Sequence, residues 1–186
     1  MAKEQDRRAR TRDAVLQAFA TLALERRYDR IGIADLIATT GIGRSTFYEH
    51  FAGKHDVLLA TLEPVLLALA NAASGRASVP VVRMMLDHVW GQRAWSRVIL
   101  DSAAAPRLRR RLAEMIEGRL AIENHPARPL SLPAIGAAAG QLAMLRSWLA
   151  GEVSCSADHL ARQILTFGPI IRMDDAVIKD AKTISS

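Results

Sequence analysis

The chain has 186 residues, half of them apolar and 5% aromatic, with 25 Lys and Arg against 19 Asp and Glu for a formal net charge of +6. That length allows one sizeable core or two small domains sharing helices, and the charge is spread, with ten basic against eight acidic residues in positions 1–60, so bulk charge alone does not argue for nucleic acid. The single cysteine, Cys155, excludes an internal disulfide, the charged opening MAKEQDRRAR has no apolar run behind it to act as a secretory signal, and no stretch is expected to be long enough to cross a membrane.

These observations point to a soluble, cytoplasmic protein. Abundant alanine and leucine with few β-branched runs favour an all-α fold, helices packed on helices. Residues 1–10 read as a charged arm, with Lys3, Arg7, Arg8 and Arg10 against Glu4 and Asp6. Such an arm is either solvated or laid along a phosphate backbone or minor groove beside a reading head. Residues 11–27 predict the first helix, with Val15, Leu16, Phe19, Leu22 and Ala23 at helical spacing.

The stretch IADLIATTGIGRSTFYEHFAGK, residues 33–54, organises the rest of the chain. Gly32 can stand at an N-cap while Asp35, three residues on, reaches back to a free backbone N–H. Ile33, Leu36 and Ile37 give that helix an apolar face, and Gly41 falls where a helix ends in the left-handed conformation that glycine adopts without steric cost. Gly43 can cap a second helix, residues 44–51, in which Phe47 and Phe51 lie four apart and point inward with Phe19 as an expected neighbour. The other side carries Arg44, Ser45, Thr46, Tyr48 and His50, all able to hydrogen-bond. This is a helix-turn-helix that presents a reading helix.

The turn and second helix, GIGRSTFYEHFAGKHDVLLA, resemble the DNA-binding signature of the TetR/AcrR family of bacterial transcriptional regulators, over roughly residues 12–59 at motif level. The resemblance implies that Arg44, Ser45, Thr46, Tyr48 and His50 face DNA and that Lys54 holds a phosphate. It also implies a three-helix DNA-binding domain joined to a helical bundle for dimerisation and ligand binding. The partners it implies are double-stranded operator DNA, a second copy of the chain and an apolar or aromatic small-molecule effector, with repression of a palindromic operator as the outcome. Gly32 and Gly43 stand where the family often has a hydroxyl-bearing cap, and Ala34 where some members place a basic contact.

A fourth helix is expected from Lys54 onward, with Asp56 in its first turn where the helix dipole favours an anion. It is apolar on most of its circumference, so it must be covered on more than one side, and Pro64 should kink it. After a loop over residues 74–79, Pro80 opens a second set of helices at about 81–92, 94–104, 106–124, 132–150 and 156–173. The domains expected are residues 1–53 for DNA, 54–79 as linking helix and loop, 80–173 for ligand and dimer, and 174–186 as a polar tail. Small residues Gly136, Ala137 and Gly140, with the apolar stripe Leu142, Leu145 and Leu149, suggest a homodimer built from the last two long helices.

Met84, Met85, His88, Trp90, Trp95, Met115, Met144 and Trp148 concentrate adaptable apolar bulk in the second domain, as either plain core or the lining of an effector pocket. Cys155 and His159 are four apart with Asp158 adjacent, two metal-type ligands where three or four are needed, so a surface or interface pair is expected instead. The run Arg107, Arg109, Arg110, Arg111 is either a solvated face partly neutralised by Glu114 and Glu117 or a site for an acidic partner. Nothing resembles a nucleophile elbow, a phosphate-cradling loop or a zinc helix, so no catalytic residue, metal or cofactor is expected. A bundle enzyme with an inherited head, and a protein-interaction module using Arg44, Tyr48 and His50, are the rival classes.

Overall fold

The computed structural model describes residues 2–120 and 130–167, and among them every regular element is a helix. The order is α1 (Ala2–Glu25), a single 3-10 turn at Tyr28–Arg30, α2 (Ile33–Thr40), α3 (Arg44–His50), α4 (Lys54–Ala73), α5 (Val79–Gly91), α6 (Arg93–Leu100), α7 (Ala105–Leu120), α8 (Leu132–Ala150) and α9 (Ala157–Leu165). Residues 2–10, expected as a charged arm ahead of the first helix, form the first turns of α1, where Glu4 pairs with Arg7 and Asp6 with Arg10 at helical spacing. The end of the last expected helix, residues 168–173, and the tail 174–186 lie outside the described residues.

Two apolar clusters hold the fold. The first joins α1, α2 and α3 to the start of α4 through Val15, Phe19, Tyr28, Leu36, Phe47, Phe51 and Leu58. Trp95 and Ile99 of α6 and Leu108 of α7 complete that cluster, so the head's core extends into the second half of the chain. The other cluster packs the rest of α4 against α5, α7, α8 and α9, with alanines such as Ala70, Ala73, Ala113, Ala134, Ala138 and Ala161 at the contacts. Short side chains let these helices approach closely.

Helix α4 is the hub, touching α1, α5, α7, α8 and α9. It runs continuously through Pro64, and Val57, Leu58, Leu66, Leu69, Ala70, Ala72 and Ala73 are buried along it. Contrary to the sequence expectation, its 20 residues are long and apolar enough to cross a membrane. In the fold that apolar surface meets helices on several sides, as a near-uniformly apolar helix requires.

A second expectation fails at α8. Leu145 and Leu149 are 2% and 0% exposed and face the chain's own core, so the stripe assigned to a partner is internal. A Cβ built on Gly140 would lie 2.5 Å from Cζ of Phe167, so this glycine makes room for an intramolecular contact after α9. The outward side of α8 carries Leu132, Ile135, Gly136, Ala143 and Arg146 instead.

Candidate nucleic-acid interface and effector cavity

The geometry of α2 and α3 follows from local chemistry. The Gly32 N–H donates to Asp35 Oδ2 at 2.7 Å, and the other oxygen of that carboxylate meets Arg26, the residue that follows α1, at 3.1 Å. Asp35 therefore caps α2 and ties it to the first helix. Gly41 closes α2 at φ +69°, a conformation that side-chain-bearing residues adopt only with strain, and its N–H reaches the Ile37 carbonyl at 2.9 Å. Helix α3 is then fixed from behind by Phe47 and Phe51, 0% and 3% exposed with ring centroids 5.8 Å apart.

Of the side chains expected to face DNA, Arg44, Ser45 and Tyr48 are exposed on α3. Tyr48 stands edge-on to Phe47, and the Arg44 guanidinium lies 5.9 Å over the Tyr48 ring, so the phenol braces the arginine. Thr46 is half-buried. His50 is set apart from them: its ring leans on Phe51, and it borders a groove of about 450 Å³ shared with Arg12, Asp56, Glu63, Arg111 and Glu114. The guanidinium of Arg12 lies 5.0 Å over the Phe51 ring, a contact with no signal in the sequence.

Lys54 is engaged inside the protein. Its ammonium donates to the carbonyls of Ile31 at 3.1 Å, Tyr28 at 3.4 Å and Asp29 at 3.5 Å, and it rests 4.8 Å over the Tyr28 ring. The carbonyls at and just after the 3-10 turn thereby gain a donor from α4, that of Tyr28 in addition to the Ile31 N–H it already accepts.

Beside Lys54 a polar chain crosses the molecule. The Tyr28 hydroxyl meets His55 Nδ1, and Arg107 at the start of α7 donates to His55 Nε2 at 2.6 Å. Arginine has no acceptor, so Nε2 must accept, the ring proton sits on Nδ1, and His55 donates to the tyrosine oxygen. Burial, then the positive charges of Arg107 and Lys54, hold the His55 pKa below its usual range against the opposing pull of Asp56. Burial pushes the Tyr28 phenol up to about 12, with Asp29 adding to it and Arg107 opposing. Both side chains are neutral at neutral pH. Within the arginine run, Arg107 thus joins the second half of the chain to the head, while Arg110 and Arg111 pair with Glu114 as charge spacing suggests. Glu117 instead accepts from the backbone and hydroxyl of Ser131.

The eight residues expected around an effector do not converge. Met84 is 68% and Trp90 42% exposed, and Trp90 stacks on Trp148 at 4.5 Å with Arg93 over its face. Met85 and Met115 belong to the core, Met144 is half-buried, and Trp148 donates to the Cys155 carbonyl at 3.0 Å. His88 and Trp95 do meet, at a mostly apolar cavity of about 170 Å³ between α4, α5, α6 and α8. Its wall is otherwise made by residues that the sequence did not assign to a pocket, among them Leu62, Val65, Val89 and Ile99, with Leu142 and Leu145 of the stripe expected at a dimer contact. Cys155 is half-buried, His159 is exposed, and Asp158 pairs with Arg162.

The chain matches no protein-family model. It is similar to a solved structure described as a TetR transcriptional regulator from Streptococcus agalactiae 2603V, with a TM-score of 0.55 and 24% identity over 90% of this chain and 99% of that one. It is also similar to two curated proteins of Bacillus subtilis strain 168. Both are described as uncharacterised HTH-type transcriptional regulators: YxbF, 38% identical over 63 residues, and YwcC, 34% identical over 61 residues. Each match takes in 33% of this chain but 17% and 27% of those relatives' own lengths. The chain therefore has the fold of the TetR-type transcriptional regulators, with a helix-turn-helix at its head.

Proposed function

We propose that the chain is a cytoplasmic, effector-responsive transcriptional regulator that binds a palindromic operator as a dimer and represses by occupying it. The observation that carries this reading is α3: a short helix locked from behind by two buried phenylalanines, with Arg44, Ser45 and Tyr48 presented to solvent. Arg44 has the planar fork that pairs with a guanine edge in the major groove, and Tyr48 suits a phosphate. Lys54, committed to three carbonyls, serves the reading helix by fixing the segment before α2 and meets phosphate only from its remaining exposed side.

A head that grips few base pairs gains from a two-fold partner. The outward side of α8, with Leu132 83% exposed and Gly136 open, supports dimerisation there. The cavity supports an effector site: Thr61, Leu62, Val65 and Leu66 of α4 border it, and the same helix begins at Lys54 and His55 against Tyr28 of the head. An effector that favours the DNA-free arrangement of α4 must weaken operator binding by the factor by which operator weakens its own binding.

Selection of bound fragments from genomic DNA, followed by a salt series on the selected site, tests the reading. Arg44→Ala should cost about 1–3 kcal/mol on the preferred site and little on scrambled DNA. Equal binding of selected and scrambled DNA by the parent protein would sink it. Light scattering showing a monomer at micromolar concentration would remove the dimer.

A further inference from the structure

Resting on the reading of the cavity as the effector site, we infer that the effector is a single-ring aromatic molecule with one hydrogen-bond acceptor, and that the Trp95 indole N–H donates to it. Size comes from the cavity, about 170 Å³, where an apolar cavity of roughly 150 Å³ accepts benzene. One ring with a small substituent fills it.

The acceptor comes from the state of the polar groups in the wall. The Thr61 hydroxyl donates to the Val57 carbonyl at 2.8 Å and that of Ser96 to the Val89 carbonyl at 3.3 Å, so neither has a hydrogen left to donate to a guest's acceptor. His88 and Gln92 are exposed, at the outer edge. Trp95 is 7% exposed, and its Nε1 is buried with no partner. Buried indole N–H groups ordinarily have an acceptor, because leaving one unmade forfeits the hydration it had when unfolded. The described residues offer none here, and the ring forms part of the cavity wall, so a guest whose entry turns the indole nitrogen toward it supplies the missing acceptor and completes the site. A guest of the same shape without an acceptor leaves the donor orphaned and is discriminated against on that account.

Acetophenone and α-methylstyrene have the same heavy-atom shape and differ in C=O against C=CH2. Their affinities for the parent protein and for Trp95→Phe, measured by titration calorimetry, form a double comparison in which their unequal hydration cancels. The ratio of acetophenone to α-methylstyrene affinity should fall about ten-fold on removing the indole N–H, equivalent to about 1.4 kcal/mol. Leu62→Trp, which fills the cavity, should abolish binding of both. An unchanged ratio would overturn the role of Trp95 while leaving the cavity as an effector site. No binding of either compound to the parent protein, or binding that survives Leu62→Trp, would overturn both. Should Trp95→Phe fail to fold, the parent protein answers by NMR, with indole resonances assigned through Trp90→Phe and Trp148→Phe. Acetophenone should move the Trp95 N–H proton downfield and α-methylstyrene should not, and equal shifts would overturn the assignment.

Discussion

The head and the body of this molecule are stabilised by different means. Around α1 to α3 the core is built on a few large rings, with Phe19 edge-on to Tyr28 at 6.3 Å and Phe47 against Phe51, and the backbone is fixed by caps that act over three to nine residues. In the body, alanine-lined helices lie close together, and specific bonds span long stretches of sequence: Gln141 to the Leu69 carbonyl, Arg119 to Asn71 and Arg93 to the Leu149 carbonyl. A few rings and local caps orient one short helix. Many small contacts along five helices leave room for a cavity and for a change of spacing.

The sharpest way to break this contrast is to remove one ring. Phe47→Ala should cost about 3–5 kcal/mol, read as a fall in urea midpoint, because a fully buried phenylalanine leaves a cavity that so small a core cannot close. A loss below about 1 kcal/mol would mean that the rings are not what holds the head. In the body the corresponding test adds volume. Gly140→Leu should cost about 1–3 kcal/mol, since its Cβ meets the Phe167 ring, whereas Gly136→Leu, with nothing within 4 Å, should stay within about 0.5 kcal/mol in the monomer. If the exposed side of α8 joins two copies, only Gly136→Leu weakens the dimer without unfolding the chain, as light scattering beside thermal melts will tell.

Next in size is the local cap. Asp35→Ala loses both the bond from the Gly32 N–H and the contact with Arg26, and should destabilise by about 0.5–2 kcal/mol. Asp35→Asn keeps a capping oxygen and should recover most of it. The smallest effect concerns the seam between the two regions. With its folded-state pKa held below the ordinary histidine value of about 6.5, His55 favours the neutral form in the native protein. Its contribution is therefore fully present above pH 6.5 and is lost as pH falls from there through the folded-state value, because the unfolded chain binds the proton first. Comparing the parent with His55→Asn at about pH 7.5 and about pH 5 should give a larger gap at the higher pH. A gap independent of pH would remove the neutral histidine from the seam.

What the sequence disclosed follows the same division. Gly32, Asp35, Gly41, Phe47 and Phe51 could be assigned because capping and ring pairing act between near neighbours in the chain. The inward turn of Leu145 and Leu149 could not, because α8 is apolar on nearly every side and its pattern selects no face. Lys54 was read by resemblance as a phosphate ligand. Its three carbonyl partners lie 23 to 26 positions earlier and leave no periodic trace. Of the residues that line the cavity, His88 and Trp95 were singled out by composition, but leucine and valine walls look like any core. The first helix was started too late because its charged opening shows no apolar periodicity, whereas Glu4 with Arg7 and Asp6 with Arg10 are the pairs that an exposed helix uses.

The core shared by Trp95, Ile99, Ala104 and Leu108 with the head bears on how such a protein can be recombined. A reading head severed after Phe51 would expose the surface those four side chains cover, and grafted onto a foreign body it would meet a floor of the wrong shape. The head is therefore not a portable cartridge. A chimera that keeps its fold must carry α6 and the first turns of α7 along with α1 to α4, so the smallest exchangeable unit is discontinuous with the sequence that looks most like a module.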